Sequence, residues 1–398
     1  MLKMSRYLVK LKPIDKFFFG GDMTFAIPAG GDERKKANER FSSYIITSGR
    51  FPQQTSLLGM LRFLLLRNSA FFKDGKILEG KENEVEELIG KRSFMVQEGT
   101  GDFGQIKALS ACFLMNGQEH YYLAPLDVNI AKSDGTGKPA EAEDAGNSSK
   151  TTGYVNGKEI TLPEFKGYSP KNENPEYVIG ENGKFVELSD IFKDDRRIGI
   201  ARNINTGRTE DASLFKQISY RLKDDWYFAF YVDVSKDCNI WKYSNQIVSV
   251  GGDSSQFVIT INKLDAPESN ESSESEPKTS GSNQEKKLKV VLLSPSFIPR
   301  KLIVHNGKPE DDNTPYFFIS KTVPFRFMET TIDTEDYTLR AGYQRSSRYE
   351  LYASGSVFYF DSSDKAESFK KAVEDEDGEL NSFQATFRQI GYNECKLI

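Results

Sequence analysis

The chemistry-bearing residues of this sequence favour holding a polyanion over breaking a bond. Gly30-Gly31-Asp32-Glu33 spells the signature of nucleotide-cyclising palm domains. In those domains the acids sit on a tight hairpin between buried strands and hold magnesium. Here Ala26-Ile27-Pro28-Ala29 precedes the motif and Arg34-Lys35-Lys36 follows, so no second strand supports it and the match is a coincidence. Gly20-Gly21-Asp22 and Gly251-Gly252-Asp253 read as turns. His120 and His305 are the only histidines, and neither has a partner at metal-ligand spacing. A surface position suits both. Asp194-Asp195, Asp224-Asp225 and Asp311-Asp312 are adjacent pairs, which a strand would turn to opposite faces. Neither a GxxxxGK phosphate loop nor a GxSxG elbow occurs. The reading is therefore no catalytic residue, no metal site and no cofactor.

Binding chemistry is better represented. Segment 196–223 holds Arg196, Arg197, Arg202, Arg208, Lys216, Arg221 and Lys223 against only Glu210 and Asp211. Within it, Arg202-Asn203-Ile204-Asn205-Thr206-Gly207-Arg208 forms a basic arm whose glycine lets the backbone approach a phosphate closely. Arg340-Ala341-Gly342-Tyr343-Gln344-Arg345-Ser346-Ser347-Arg348-Tyr349 mixes bases with two tyrosines. Such a stretch suits a single-stranded RNA track, in which rings stack bases and arginines hold the backbone. An ordinary solvated loop would have the same composition.

The element that must position these groups is the stretch from Arg50 to Arg67. Phe51-Pro52-Gln53-Gln54 opens it, and Thr55 and Ser56 are candidate N-caps. From Leu57 to Leu66 every residue but Gly59 and Arg62 is large and apolar. A helix apolar nearly all round must be buried against a sheet, and this one is too short to span a membrane. Its N-terminus emerges beside polar residues, a place suited to an anion. A core helix with an ordinary polar entry fits the same pattern.

Strands are expected at Arg6–Leu11, at Ile106–Met115 and Tyr121–Val128 around the Asn116-Gly117 turn, and at Ile198–Ala201 and Leu214–Leu222 flanking the arm. More follow at Trp226–Val234, Ile247–Val250, Phe257–Ile261, Lys289–Leu293 and Ser354–Phe360. Short helices are expected at 81–92, stopped by Gly90, and at Glu367–Val373, with strand-like alternation over Phe383–Leu397. Residues 28–43 read as a loop and 132–153 as a flexible insertion. A helix after a first strand, with many later strands, marks an α+β order.

Hydrophobic residues at 38% and charged residues at 28% of 398 describe a globular chain with polar insertions. Cys112, Cys238 and Cys395 stand far apart, as reduced thiols rather than a disulfide framework or zinc site. With no apolar leader and no run of membrane length, a cytoplasmic protein is expected. The net charge of −5 conceals its distribution. Residues 265–285 carry six acids against one base, and residues 361–381 eight acids against three bases, so the remainder is net positive. The Ser/Glu composition of 264–287 predicts a disordered linker between domains at 1–263 and 288–398.

Phe51-Pro52-Gln53-Gln54-Thr55 leading into Leu58-Gly59-Met60-Leu61-Arg62 resembles the first-helix motif of a known family. The family is that of the third subunit of the Cmr complex, the type III-B CRISPR effector built from RAMP-superfamily proteins. Leu11-Lys12-Pro13 with Phe17–Gly21 is similar to the family's start, and Ile198-Gly199-Ile200 with Thr206-Gly207 and Leu214-Phe215 to its hairpin. Gly251-Gly252-Asp253 and Ala353–Phe360 resemble later blocks, in the same order.

The resemblance implies two ferredoxin-like (RRM-like, βαββαβ) domains with loop insertions. It implies a non-catalytic, crRNA-binding subunit in antiviral defence that holds the crRNA 5′ tag. Its expected neighbours are the large palm-domain subunit and a backbone RAMP subunit. On this reading the RNA-binding residues are Gly20, Gly21, Arg50, Gln53, Gln54, Thr55, Arg197, Arg202, Asn203, Thr206, Arg208, Arg340, Arg345, Arg348 and Gly355. The alternative is a guide-processing endoribonuclease of the RAMP type, which would need a histidine or equivalent base at the scissile phosphate.

Overall fold

The computed structural model describes residues 4–20, 23–25, 44–97, 99–128, 151–155, 158–162, 176–202, 206–251, 253–264, 288–303, 314–331, 341–374 and 383–398. The 28–43 loop, the Gly30–Glu33 motif, residues 132–150, His305 and the 265–287 linker lie outside them.

The fold is α+β, and strands dominate it. Its largest sheet has nine strands. From one edge the path runs Phe185–Glu187, Tyr177–Gly180, Glu119–Leu123, Phe113–Asn116, Trp226–Ser235, Met4–Pro13, Ser255–Lys263 and Ile247–Val250, with Ile106–Leu109 also pairing to Trp226–Ser235. Alternation sets the faces. In the first strand Tyr7, Val9 and Leu11 are buried while Arg6 is exposed and Lys10 and Lys12 are half-buried. The Asn116-Gly117 signal yields the expected hairpin, with Asn116 opposite Glu119.

Helix α1 (Gln54–Arg67) lies against the buried face of this sheet. Leu57, Leu58, Met60, Leu61, Leu64, Leu65 and Leu66 are all buried, whereas Gly59 and Phe63 face outward. The cap is Gln53 rather than Thr55 or Ser56, because extended backbone at Gln53 starts the helix at Gln54, two residues earlier than a Thr55 cap would. Both hydroxyl residues then fall inside the first turn.

Arg62, the one charge in the buried run, is 7% exposed. Its Nε donates to the Ile89 carbonyl at 2.7 Å and an Nη to that of Gly90 at 3.0 Å. These groups end helix α2 (Glu82–Ile89), so a cation meets unsatisfied carbonyls at the negative end of a helix. Burial lowers the guanidinium to about 10, with Asp102 opposing the shift, and it stays charged at neutral pH.

An aromatic knot closes the other end of the core. Phe17 is 1% exposed, with ring centroids 4.7 Å from Phe19 and 5.4 Å from Phe228. Phe17 also exchanges backbone hydrogen bonds with Tyr220, on the strand Thr209–Leu222. That strand and Phe192–Arg202 form the long hairpin expected from the basic arm, and Tyr44–Thr47 pairs with it in parallel.

A four-stranded sheet in the order Phe317–Ile319, Val357–Tyr359, Lys289–Leu292, Cys395–Leu397 carries a second core. Helix α3 (Ser363–Glu374) covers it, with Phe369 centred 5.0 Å from both Phe358 and Phe360. The expected alternation over Phe383–Leu397 is not realised. Phe383–Gln389 is helix α4, and only Cys395–Leu397 is strand. Phe383, Phe387 and Ile390 recur at helical spacing, and Phe387 and Ile390 reach the first core, where Phe387 lies 5.4 Å from Phe94 and 5.9 Å from Phe325. Among the described residues no helix is long and apolar enough to cross a membrane.

Leu61 is 3% exposed. Leu61→Asp would bury an unpaired carboxylate at a cost of several kcal/mol, comparable with the stability of a whole domain. The expected outcome is insoluble or unfolded protein by circular dichroism and gel filtration; a soluble, cooperatively melting variant would show that α1 is not core.

Candidate nucleic-acid interface

The N-terminus of α1 opens into a cleft of about 480 Å³ between the two sheets. Phe51, Pro52, Gln53 and Gln54 form one wall. The Leu123–Leu126 loop, the Lys321–Phe325 strand segment and Ser354 form the others. Gln53 is exposed and its carbonyl accepts from the Ser56 and Leu57 N–H groups. Gln54 is 3% exposed, and its Nε2 donates to the carbonyls of Ser110 at 3.3 Å and Gly391 at 3.2 Å. Two carbonyl neighbours fix the amide orientation, which leaves Oε1 buried with no partner among the described residues. Tyr392, also lining the cleft, is 2% exposed, and its hydroxyl has no hydrogen-bond partner among them either. Burial pushes that hydroxyl well above the ordinary tyrosine range, and the nearby backbone N–H groups of Gln54 and Thr55 counter it only in part.

Gly355 holds the cleft's far wall. Its φ is +82°, and a Cβ there would lie 2.6 Å from the Ala124 carbonyl oxygen. Only glycine permits that approach. Its carbonyl accepts from Leu126 N–H at 2.8 Å, and its own N–H donates to the Leu292 carbonyl at 2.7 Å. Two residues along the loop from Pro125, the buried Asp127 carboxylate accepts from Lys289 Nζ at 2.6 Å and from the Tyr359 hydroxyl. Sequence reasoning missed this clamp, since no local pattern marks Asp127 or its distant partners.

A second group forms at the base of the hairpin. Gly20, at φ +78°, accepts from Gly49 N–H, and Ser48 links Phe19 to Ile218. Arg50 pairs with Glu176 and lies 5.4 Å from the Tyr220 ring. Gly20, Arg50 and the hairpin base therefore assemble, and Glu176 carries Arg50 to the cleft rim.

Along the hairpin the bases are unequally engaged. Arg221 lies 3.0 Å, Lys16 3.6 Å and Arg197 3.8 Å from Asp195. Burial raises the Asp195 carboxyl, yet these cations outweigh it and hold the group below the usual range. Arg196 pairs with Asp194 at 3.1 Å. Near the tip Thr206, Gly207 and Arg208 are exposed, and the Arg208 N–H reaches Thr206 Oγ1 at 3.4 Å. Ile198 is 72% exposed on the adjoining strand, an apolar side chain among the bases.

The remaining expected residues scatter. Thr55 is half-buried in α1. Arg202 and Arg345 are placed by backbone in strands, the latter opposite Met328. Arg348 is exposed and 3.8 Å from Glu350. Gly21, Asn203 and Arg340 lie outside the described residues. Among the described residues no group of His, Cys, Asp and Glu could hold a metal. His120 is 3.1 Å from Glu181 and packs against Phe113 at 4.6 Å.

A family model described as CRISPR-associated protein (Cas_Cmr3) matches residues 9–398. No curated protein matches the sequence. A solved chain of the type III-B Cmr-beta bound to cognate target RNA is 13% identical, with a TM-score of 0.48 over 98% of this chain and 97% of that one. A chain of the same assembly with target RNA and AMPPnP is 13% identical, with a TM-score of 0.45 over 97% of this chain and 94% of that one.

Gln54→Leu keeps the volume but leaves the Ser110 and Gly391 carbonyls without their donor. A loss of about 1–3 kcal/mol is expected in urea denaturation. An unchanged midpoint would show that the amide does not brace the cleft.

Proposed function

Belonging as it does to the Cas_Cmr3 family of CRISPR-associated proteins, the chain is, we propose, a non-catalytic, crRNA-binding subunit of a type III-B Cmr effector complex. It holds the crRNA 5′ tag, docks the large palm-domain subunit and abuts a backbone RAMP subunit in the cytoplasm. Each half, 1–263 and 288–398, is a ferredoxin-like domain, with 264–287 as the linker. The observation that carries the reading is the exposed tip of the hairpin. Nearer its root Arg196 pairs with Asp194, and Arg197 and Arg221 share Asp195. Arg208, by contrast, stands in solvent beside Gly207, where even an added Cβ would meet nothing within 4 Å. A guanidinium exposed at the end of a hairpin is suited to phosphate.

Among the described residues no observation favours the endoribonuclease reading, and His305 lies outside them. His120 is 17% exposed, with Nδ1 3.1 Å from Glu181 and Nε2 turned to the Tyr231 hydroxyl at 3.5 Å.

Arg202→Glu with Arg208→Glu should weaken binding of tagged RNA while the melting temperature holds, since the tip carries little apolar area. Each lost phosphate contact should flatten the salt dependence by a slope of about 0.7 for a single strand. The double variant should also lose its preference for tagged over untagged RNA. Unchanged affinity, slope and preference in folded protein would overturn the assignment of the tag to this arm.

A further inference from the structure

The face of the nine-stranded sheet turned away from α1 is not the polar surface that a solvated antiparallel sheet normally presents. Strand alternation puts Tyr227, Ala229 and Tyr231 on it, beside Arg6, Leu8, Lys10 and Lys12 of the neighbouring strand. Phe113 and Met115 continue the same rows, opposite Ala229 and Tyr227. Leu8, Phe113, Met115 and Ala229 form a small apolar cluster that includes no residue of α1. Phe113 is 1% exposed because rings crowd over it, His120 at 4.6 Å, Tyr122 at 5.5 Å and Tyr231 at 5.6 Å. Tyr227 and Tyr231 remain half-buried on top.

Cations stand among these rings. The Arg6 guanidinium is 5.0 Å from the centre of Tyr231, and the Lys12 ammonium 5.2 Å from that of Tyr227. Lys12 is engaged by the carbonyls of Lys223 and Trp226, at 2.9 and 3.2 Å, and by that of Asp224. Asp233, 3.7 Å from Arg6, offsets that charge in part. Among the described residues no carboxylate pairs with Lys10, which lies between Ala229 and Thr260 across the sheet. Tyr227 and Tyr231 are about 13 Å apart along their strand, with the small Ala229 between them. Two half-buried rings, each with a cation beside it, and an ammonium opposite the small residue between them fit stacked bases and a phosphate.

We propose that this face is a platform for single-stranded nucleic acid, with bases stacked on Tyr231 and Tyr227 and a backbone phosphate on Lys10. It is separate from the hairpin tip and the cleft, and it does not depend on either of them binding the crRNA tag.

The test is fluorescence anisotropy of the full-length chain with an oligouridine that carries no repeat-derived sequence. Tyr231→Ala should weaken binding by about tenfold, and Tyr231→Phe, which keeps the ring, should bind about as the parent does. Lys10→Glu should weaken binding and reduce the salt slope by about 0.7. Lys10 is half-buried at the sheet surface rather than in the core, so it decides the matter if Tyr231→Ala does not fold. Crosslinks from a 4-thiouridine oligomer should map to residues 226–235. Parent-like affinity in both folded variants overturns the platform. So does loss of a protein subunit from the complex with RNA affinity unchanged, which would make the face a protein-docking surface. The tag-preference measurement on the hairpin variant is unaffected by either outcome, so the two assignments fail separately.

Discussion

A helix that is apolar on almost every side must be covered, and α1, which leaves only Gly59 and Phe63 facing outward, obliges the rest of the chain to close around it. The large sheet takes one side and α2 another. Arg62 turns this packing into a specific arrangement. Its guanidinium is out of water and must find acceptors, and the carbonyls that end α2 are the ones within reach. Charge and helix end satisfy each other, which fixes where α2 stops relative to α1. The N-terminal turn of α1 stays polar, and the cleft forms there.

Much of this is legible in residue order. The apolar run of α1, the stop at Gly90 and the Asn116-Gly117 hairpin are local patterns whose physics does not depend on distant partners, and they appear where they are expected. The long hairpin is equally plain, because two apolar-polar strands flank a glycine-bearing basic tip. The helix Phe383–Gln389 is not so plain. Seven residues give a helical period too few repeats to stand out against a strand, and its identity is decided by where Phe387 and Ile390 find a core. The cleft is harder still. Its walls come from segments as far apart in sequence as Phe51 and Ser354, and the clamp at Asp127 involves a lysine and a tyrosine that nothing nearby announces.

Charge is organised by the same logic as packing. Read as a list, segment 196–223 is strongly basic; folded, part of that charge is paired. Asp194, Asp195 and Asp15 gather Lys16, Arg196, Arg197 and Arg221 near the root. The exposed charge of Arg208 lies toward the tip.

The reach of Phe387 into the first core bears on how the molecule is made. A ribosome delivers the first strand and α1 long before residues 383–392, and Phe94, Phe297 and Phe325 wait uncovered for the ring that will lie among them. Thr386 and Gln389 then tie α4 to the main chain at Gln97, Gly101 and Lys107, far upstream. The nascent protein thus completes its first core only after residues 383–392 are free of the exit tunnel. A prematurely terminated product carries an open aromatic socket, the kind of surface by which chaperones and proteases recognise unfinished chains.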